Sequence, residues 1–387
     1  MPRLAYVVTH PMTAEHFLRG HLAYQREAGF ETHLITSPGP AAERVAAREG
    51  VTLHGVEMRR RISPASDLLA LARLTRLLAR IQPDVVNAST PKAGVLATLA
   101  ARRAGVRHRI YLLRGLPLET TTGVKRWALA AVERLAAASA TRIYCVSESL
   151  RRTYARLHLA PLDRIRVLRS GSSNGVDGDR FSSTLAPEAT AAARRELDLP
   201  VEGLLVGFFG RLTRDKGVGD LVKAFTREVS VPGPPPLLVL VGDLEAGDPL
   251  PADVLRDMER SPAIVVRPFS QDIARYYAAV DLVAFPSLRE GFPNVPLEAA
   301  ACGLPVVGYA ATGTVDAVID GVTGTLVPPG DWRALGRAIE HYLVDDGRRR
   351  RQGRAGLERV RRDFVPEHLW EAWAEVYRQL LEGRGDA

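Results

Sequence analysis

The chain has few of the features that mark secreted, metal-binding or membrane-spanning proteins. Its 387 residues include only two cysteines, Cys145 and Cys302, each in an apolar context, which favours buried thiols in a reduced compartment over a disulfide framework. No His-x-x-x-His or Cys-x-x-Cys spacing occurs, so no common metal-ligand pattern is present. No apolar run approaches the roughly 20 residues of a membrane-spanning helix. The N-terminal apolar segment Leu4–Val8 is too short for a signal peptide and predicts a first strand.

The positive charge is concentrated in the first half of the chain. Residues 1–170 carry 27 Lys and Arg against 12 Asp and Glu, a net charge of +15, whereas residues 171–387 carry 25 against 32, a net charge of −7. A chain of this length is expected to form two domains of roughly 150–200 residues. The charge asymmetry indicates different partners for the two halves. The arginine-rich segment 348–362 fits a solvated helix face better than a nucleic-acid site, so no nucleic acid is expected as a partner.

Short apolar strands alternate with helical patterns along most of the chain. Seven strands are predicted between residues 4 and 168, and six between residues 204 and 327, with helices between them. The first of these helices is predicted over Glu15–Ala28. Such alternation is typical of α/β domains with parallel, doubly wound sheets, whose ligands bind beyond the carboxyl ends of the strands.

A turn-rich break, residues 170–179, separates the two halves. We therefore predict domains at residues 1–177 and 178–365, followed by a C-terminal helix over residues 366–387. Asp177-Gly178-Asp179, within the break, formally matches an Asp-x-Asp metal-binding motif. A tight turn is the favoured interpretation, because no buried strand leads into this motif.

The most informative stretch follows the predicted strand Leu282–Phe285. Asn294 is a suitable N-cap, and Val295–Ala301 predicts a short helix, which places Glu290 in the loop and Glu298 early in the helix. Free N–H groups at a helix N-terminus attract phosphate, and a neighbouring carboxylate can accept hydrogen bonds from a sugar diol. This combination suggests a nucleotide sugar, with its ribose on one glutamate and its hexose on the other.

A second strand end carries basic residues. Gly210 ends the predicted strand Leu204–Gly210 and permits close approach of the backbone, while Arg211 can fork onto phosphate oxygens. Lys216 adds a second positive charge before a helix that starts near Val218. These residues predict a diphosphate site.

The segment Glu-Gly-Phe-Pro-Asn-Val-Pro-Leu-Glu-Ala, with seven residues between Glu290 and Glu298, resembles the signature of GT4-type retaining glycosyltransferases. The resemblance covers nearly the whole chain and implies the GT-B fold, in which two Rossmann-like domains face each other across a cleft and the last helix crosses back to the N-terminal domain. It implies catalytic roles for Glu290, Arg211 and Lys216. The donor-binding residues that it implies are Glu298, Gly210, Gly291, Phe292, Pro293, Asn294, Arg267 and Phe269.

The first half departs from the family pattern at two positions. Many members have His-Gly where this chain has Arg114-Gly115, and the first loop, Thr9–His16, lacks the Gly-Gly of many members. The histidine contacts the donor sugar in the family, so Arg114 is expected to bind a phosphate or the acceptor instead. The candidates for acceptor binding or for lining the cleft are Lys92, Arg114, Thr9 and His16.

The resemblance is strongest to bacterial transferases that build cell-surface polysaccharides or lipid-linked oligosaccharides. It implies transfer of a hexose or N-acetylhexosamine from a UDP-sugar to a hydroxyl, with retained configuration and without a metal or other cofactor. The leaving diphosphate would deprotonate the acceptor in a front-face reaction. A soluble small-molecule acceptor, a UDP-sugar epimerase of the same fold and a nucleic-acid binder remain as alternatives.

The basic first half also suggests where the acceptor is found. Leu- and Ala-rich helical segments such as Trp127–Ala138 lie among exposed arginines and lysines, an arrangement suited to anionic lipid headgroups. We therefore predict a cytoplasmic protein that binds peripherally to the inner face of the cell membrane, with an acceptor on a lipid diphosphate. The alternative is that the charge aids solubility or steers a soluble acceptor.

Overall fold

A computed structural model describes residues 1–59, 63–182, 186 and 188–383. The chain forms two compact units, one made of Met1–Asn174 and Pro366–Ala387 and the other of Gly175–Val365. Each unit contains one parallel sheet with helices packed against it. This confirms the predicted α/β class and the two doubly wound sheets.

The first unit is built on seven parallel strands in the order β3-β2-β1-β4-β5-β6-β7. Because all seven run in the same direction, their carboxyl ends meet at one edge of the sheet. The strands are β1 (Arg3–Val8), β2 (Glu31–Thr36), β3 (Thr52–Gly55), β4 (Val85–Ser89), β5 (His108–Leu113), β6 (Arg142–Cys145) and β7 (Ile165–Val167). All seven predicted strands are confirmed, with small shifts at their ends.

Seven helices follow these strands. They are α1 (Pro11–Phe17), α2 (His21–Glu27), α3 (Pro40–Glu49), α4 (Pro64–Ile81), α5 (Pro91–Arg103), α6 (Gly123–Ser139) and α7 (Glu148–Arg156). The prediction of a single helix over Glu15–Ala28 is wrong, because the helix is interrupted between α1 and α2. Gly20 lies in this interruption with φ 74°, and a Cβ there would lie 2.4 Å from the ring of Trp370. Helix α3, which follows Gly39-Pro40, was missed by the sequence analysis.

The second unit repeats the pattern with six parallel strands in the order β10-β9-β8-β11-β12-β13. The strands are β8 (Leu205–Phe209), β9 (Leu237–Val241), β10 (Ile264–Arg267), β11 (Leu282–Phe285), β12 (Val306–Tyr309) and β13 (Gly324–Val327). The helices are α8 (Asp179–Ser182), α9 (Ala189–Glu196), α10 (Val218–Arg227), α11 (Ala252–Arg260), α12 (Ile273–Ala279), α13 (Asn294–Ala301), α14 (Thr314–Ala317), α15 (Trp332–Val344) and α16 (Asp346–Asp363). All six predicted strands are confirmed.

The last helix, α17 (Pro366–Leu381), belongs to the first unit, as the fold resemblance implies. Tyr377 lies in its buried face, and its hydroxyl is 2.8 Å from the Tyr6 hydroxyl and accepts a hydrogen bond of 2.8 Å from Asn87 Nδ2. Both cysteines are free and buried, as predicted. Among the described residues, no helix combines the length and hydropathy that crossing a bilayer requires.

Helix α6 carries a buried carboxylate on its inner face. Glu133 Oε2 accepts hydrogen bonds from the hydroxyls of Tyr111, at 2.8 Å, and Tyr154, at 3.2 Å. Burial raises the pKa of Glu133 to about 7, and the two tyrosine hydrogen bonds only partly oppose this rise. Because the pKa of this carboxyl is higher in the folded than in the unfolded state, the folded protein binds more protons between about pH 4.5 and pH 7.

We therefore expect Glu133 to destabilise the fold as the pH rises through this window. Glu133→Gln removes the ionisation, so its free energy of unfolding relative to wild type should increase by up to about 3 kcal/mol between pH 4.5 and pH 8. Urea unfolding of both proteins across this pH range measures the difference in their free energy of unfolding. The contributions of the other titrating groups cancel in this difference. A difference that does not change with pH would show that Glu133 titrates normally in the folded state.

Candidate functional site

The loop between β11 and α13 carries the first glutamate of the signature. Helix α13 starts at Asn294, one residue earlier than predicted, and Pro293 occupies the N-cap position. The prediction that Asn294 caps the helix through its side chain is therefore wrong. The Asn294 Oδ1 atom is buried without a hydrogen-bond partner. The amides of the first helical turn have no carbonyl partner within the helix, so this end of α13 is suited to an anion.

Lys216 and Glu290 come together although 74 residues separate them. The Lys216 ammonium forms an ion pair with Glu290, whose Oε1 also accepts a hydrogen bond of 2.7 Å from Ser287 Oγ. The approach depends on Gly217, at φ 71°, because a Cβ there would lie 2.1 Å from the Pro286 carbonyl oxygen. The structure thus places two predicted catalytic residues in direct contact.

Arg211 lies in a cluster of alternating charges next to this pair. Its guanidinium forms an ion pair with Glu245 and is 3.4 Å from Asp215 Oδ2. Asp215 is also 3.5 Å from Arg289 and accepts a hydrogen bond of 2.6 Å from Thr213. The Thr213 hydrogen bond and the neighbouring cations hold the pKa of Asp215 below its usual value, although burial opposes them.

Sequence analysis missed Asp215 and Arg289 as site residues. Each directly precedes a predicted site residue, Lys216 or Glu290, but only the fold shows that one carboxylate links the cations of the two loops. The Nε atom of Arg289 is buried without a partner, so this guanidinium retains donor capacity toward a ligand.

Glu298 is held by a tyrosine that the sequence did not indicate. Tyr277, on α12, donates a hydrogen bond of 2.9 Å to Glu298 Oε2 and packs with its ring 4.2 Å from that of Phe209. Burial raises the pKa of Glu298, while Tyr277 and Arg180 act in the opposite direction. The carboxylate is thereby fixed at the first turns of α13.

The other residues predicted to bind the donor lie at or near the ends of neighbouring strands. Gly210 follows β8, and its carbonyl oxygen would lie 1.9 Å from a Cβ on Gly242, so the two strand ends need a glycine at position 242. Arg267 ends β10, and its guanidinium donates to the Leu197 carbonyl at 3.4 Å. The Phe269 side chain has 59% of its surface exposed, and the Phe269 backbone N–H donates a hydrogen bond of 3.2 Å to Asp243 Oδ1.

The residues between the two glutamates pack against neighbouring parts of the second unit. Phe292 is buried, with its ring 5.4 Å from that of Phe364. The Gly291 carbonyl oxygen would lie 2.6 Å from a Cβ on Gly313. These contacts fix the loop around Glu290, and the backbone of Gly291 and Pro293 positions the start of α13.

The Asp-x-Asp match lies in a turn before α8. Asp177 Oδ1 accepts hydrogen bonds from the backbone N–H groups of Asp179, at 3.1 Å, and Arg180, at 3.4 Å. This is the behaviour of a turn-forming aspartate. In the described part of the chain, no three His, Cys, Asp or Glu side chains are grouped as ligands of a metal ion.

In the first unit, Thr9 and Lys92 are engaged by neighbouring residues. Thr9 Oγ1 is 2.7 Å from Thr90 Oγ1 and accepts a hydrogen bond of 3.2 Å from the Ala93 amide, so it secures the start of α5. Lys92 is mostly buried and forms an ion pair of 2.7 Å with Asp67.

His16 and Arg114 lie at the same part of the first unit. His16 is exposed on α1, and the neighbouring Phe17 ring has the Arg114 guanidinium 5.2 Å from its centroid. Arg114 directly follows β5 and donates a hydrogen bond of 3.0 Å to the Ser173 carbonyl. Of the four predicted candidates in this unit, Arg114 therefore has the most donor capacity left for a ligand.

Comparisons with known proteins cover both units. A glycosyl transferase 4-like domain matches residues 13–171, and the family described as glycosyl transferases group 1 matches residues 203–345. The chain is 32% identical over 365 residues to the capsular polysaccharide biosynthesis glycosyltransferase CapM of Staphylococcus aureus, covering 94% of each chain. It is 28% identical over 379 residues to a D-inositol 3-phosphate glycosyltransferase of Stackebrandtia nassauensis, covering 92% of this chain and 82% of the relative.

Solved structures show the same fold. Anabaena HepE, crystallised with UDP and glucose, superposes with a TM-score of 0.79 at 20% identity, over 98% of this chain and 100% of HepE.

Proposed function

Because the chain belongs to the group 1, GT4-like glycosyltransferases and has the GT-B fold, we propose that it moves a hexose or N-acetylhexosamine from a UDP-sugar to a hydroxyl acceptor with retained configuration. The observation that carries this proposal is the contact of Lys216 with Glu290 beside the Arg211–Asp215–Arg289 cluster. It joins phosphate-binding cations to a carboxylate suited to sugar hydroxyls. The UDP complex of HepE supports the choice of nucleotide.

The predicted site residues of the second unit then have distinct roles. The diphosphate replaces the carboxylate partners of Arg211 and Lys216. These cations then stabilise the negative charge that develops on the diphosphate as its bond to the sugar breaks. Glu298, oriented by Tyr277, accepts hydrogen bonds from the ribose hydroxyls. Glu290, released from Lys216, binds hydroxyls of the sugar. The diphosphate then supplies the counter-charge for the two cations, and the sugar hydroxyls supply hydrogen bonds to the Glu290 carboxylate.

The proposed reaction is a front-face transfer. Glu290 is occupied by the sugar and is therefore not available as a nucleophile. The leaving diphosphate oxygen takes the proton of the acceptor hydroxyl as the new glycosidic bond forms on the face from which UDP departs. Positioning and electrostatic stabilisation supply the rate enhancement.

An epimerase of the same fold would bind the same donor, and incubation with single UDP-sugars in the absence of acceptor distinguishes the two activities. A transferase is expected to release UDP and free sugar slowly, because water replaces the acceptor. An epimerase would instead convert the donor into an isomeric UDP-sugar and release no UDP. Chromatography of the nucleotide products separates these outcomes, and appearance of the isomer would overturn the transferase proposal.

We expect activity to persist in EDTA, because Arg211 and Lys216 supply the charge that a divalent ion provides in metal-dependent transferases. The release of UDP measured with EDTA and with added Mn²⁺ should agree within about twofold. Loss of activity in EDTA that manganese restores would revive the metal-site interpretation of Asp177-Gly178-Asp179.

We also propose that the acceptor is carried on a lipid diphosphate and that the first unit binds an anionic membrane surface at the inner face of the cell membrane. Helix α6 supports this: its outer face exposes 85% of Val124 and 75% of Trp127, with Val132 and Leu135 also exposed. Its single acidic residue, Glu133, is buried. The exposed face of α6 is therefore apolar with basic flanks, as in helices that lie in a lipid interface.

Co-sedimentation with vesicles tests this surface. We expect binding to vesicles with anionic lipid at low salt, and weaker binding to neutral vesicles or at high salt. Trp127→Gln should reduce partitioning at least about tenfold, because one inserted aromatic side chain contributes roughly 1.5–3 kcal/mol. Val344→Gln alters an exposed apolar residue on α15 of the second unit and should have no effect. Equal binding of both variants, or no binding to anionic vesicles at low salt, would favour a soluble acceptor.

A further inference from the structure

Arg114 carries a positive charge that has no negative partner. It stands at the carboxyl end of β5, and its one hydrogen bond to the described residues is from Nη1 to the Ser173 carbonyl. Its Nε atom is buried without a partner. In the described part of the chain, no Asp or Glu forms an ion pair with this guanidinium. Burial lowers its pKa to about 10, so the side chain stays charged at neutral pH.

The polar groups near Arg114 are neutral. The hydroxyl of Tyr6 is 2.8 Å from His21 Nε2 and 2.8 Å from the Tyr377 hydroxyl, and Asn87 completes this hydrogen-bonded chain. Burial, assisted by Arg114, lowers the pKa of His21 to about 3, so the imidazole is uncharged. Burial also raises the pKa of both tyrosines. None of these groups balances the guanidinium.

A partly buried, unpaired charge lowers the stability of a fold, and such groups are retained where they serve binding or catalysis. A planar guanidinium with free N–H groups matches the oxygens of a phosphate or a carboxylate. The carboxyl edge of a parallel sheet is also where ligands of this architecture bind.

We propose that Arg114, held by the Ser173 carbonyl, forms an oxyanion subsite in the first unit that recognises a phosphate or carboxylate group of the acceptor. This rests on the proposed transferase function, in which the first unit takes the acceptor. The oxyanion supplies the missing counter-charge, and the guanidinium also makes a cation–π contact with the Phe17 ring, 5.2 Å from its centroid. The subsite selects anionic over neutral acceptors.

Thermal unfolding and calorimetry at constant ionic strength test the subsite, with saturating UDP present to occupy other phosphate sites. The probes are glucose 1-phosphate for a phosphate source, glucuronate for a carboxylate source and methyl glucoside as the neutral control. Wild type should be stabilised by one or both anionic probes and not by methyl glucoside. In Arg114→Met, the affinity for the anionic probe should fall at least tenfold, as expected on loss of a charge-assisted contact.

Arg109, at the other end of β5, provides a matched control. Its guanidinium donates to the carbonyl oxygens of Ser139, at 2.8 Å, and Val106, at 2.6 Å, so it secures the fold. We expect Arg109→Met to lower the melting temperature and Arg114→Met to leave it unchanged or raise it. A loss of stability in Arg114→Met as large as in Arg109→Met would assign Arg114 a structural role and overturn the proposal.

Two further outcomes would also overturn it. One is an unchanged response of Arg114→Met to the anionic probes. The other is weaker UDP binding by Arg114→Met, which would place the charge at the donor rather than the acceptor. Because these readouts need no turnover, failure to find a transfer reaction would leave the binding result unaffected.

Discussion

Lys216→Ala is expected to reduce turnover about a hundredfold or more, because Lys216 is assigned to the charge that develops on the leaving diphosphate. Loss of one such contact costs roughly 3 kcal/mol of transition-state stabilisation. The same reasoning applies to Arg211→Ala. The Lys216 variant also leaves Glu290 without its ion-pair partner in the donor-free protein, which lowers the stability of the site. Steady-state rates of UDP release measure both losses.

Two neighbouring cations serve as controls for this experiment. Lys223 lies on α10, the helix that follows the Lys216 loop, and the Arg214 guanidinium donates to the Pro249 carbonyl at 2.7 Å. Lys223→Ala and Arg214→Ala should keep turnover within about threefold of wild type, as is usual for surface substitutions. Comparable losses in the controls and in Lys216→Ala would mean that general positive charge, not a specific contact, supports the reaction.

Glu298→Ala is expected to weaken UDP binding roughly ten- to a hundredfold, because the ribose would lose a charge-assisted contact worth ~1.5–3 kcal/mol. Glu290→Ala should keep the UDP affinity and lower turnover, since its partner is the transferred sugar. Calorimetric titration of UDP into both variants separates the two roles.

Tyr277→Phe refines this comparison. It removes the hydroxyl that donates to Glu298 and keeps the ring packed against Phe209. A smaller loss of UDP affinity than in Glu298→Ala is expected, because the carboxylate remains but is less well oriented. Unchanged UDP affinity in Glu298→Ala would contradict the ribose assignment.

Local patterns were sufficient to predict the fold. The strands inside the two sheets are short, apolar, largely buried on both faces and separated by helical segments, so their hydrophobic runs indicate the parallel sheets directly. The helix predicted over Glu15–Ala28 failed because its break depends on Gly20 packing against Trp370, which lies 350 residues later in the chain. Asn294 failed as a cap because Pro293 already supplies the extended backbone before α13.

The glutamate signature and the strand-end cations could be found from sequence, but the partners of these residues could not. Tyr277 is one of two adjacent tyrosines in a helix, and nothing in the local pattern shows that it reaches Glu298. Arg289 and Asp215 are separated by 74 residues, and only the sheet topology brings their loops together. Likewise, the sequence shows that Arg114 replaces a family histidine, but not that its charge lacks a counter-ion.

The central claim is that the second unit binds the diphosphate of a UDP-sugar through Arg211 and Lys216. Calorimetric titration of the wild-type protein with UDP and with UMP tests it most directly. Since UMP lacks the second phosphate, it should bind at least about tenfold more weakly than UDP, as expected on loss of a charge-assisted contact. Equal affinities for the two nucleotides, or no binding of UDP, would contradict the account.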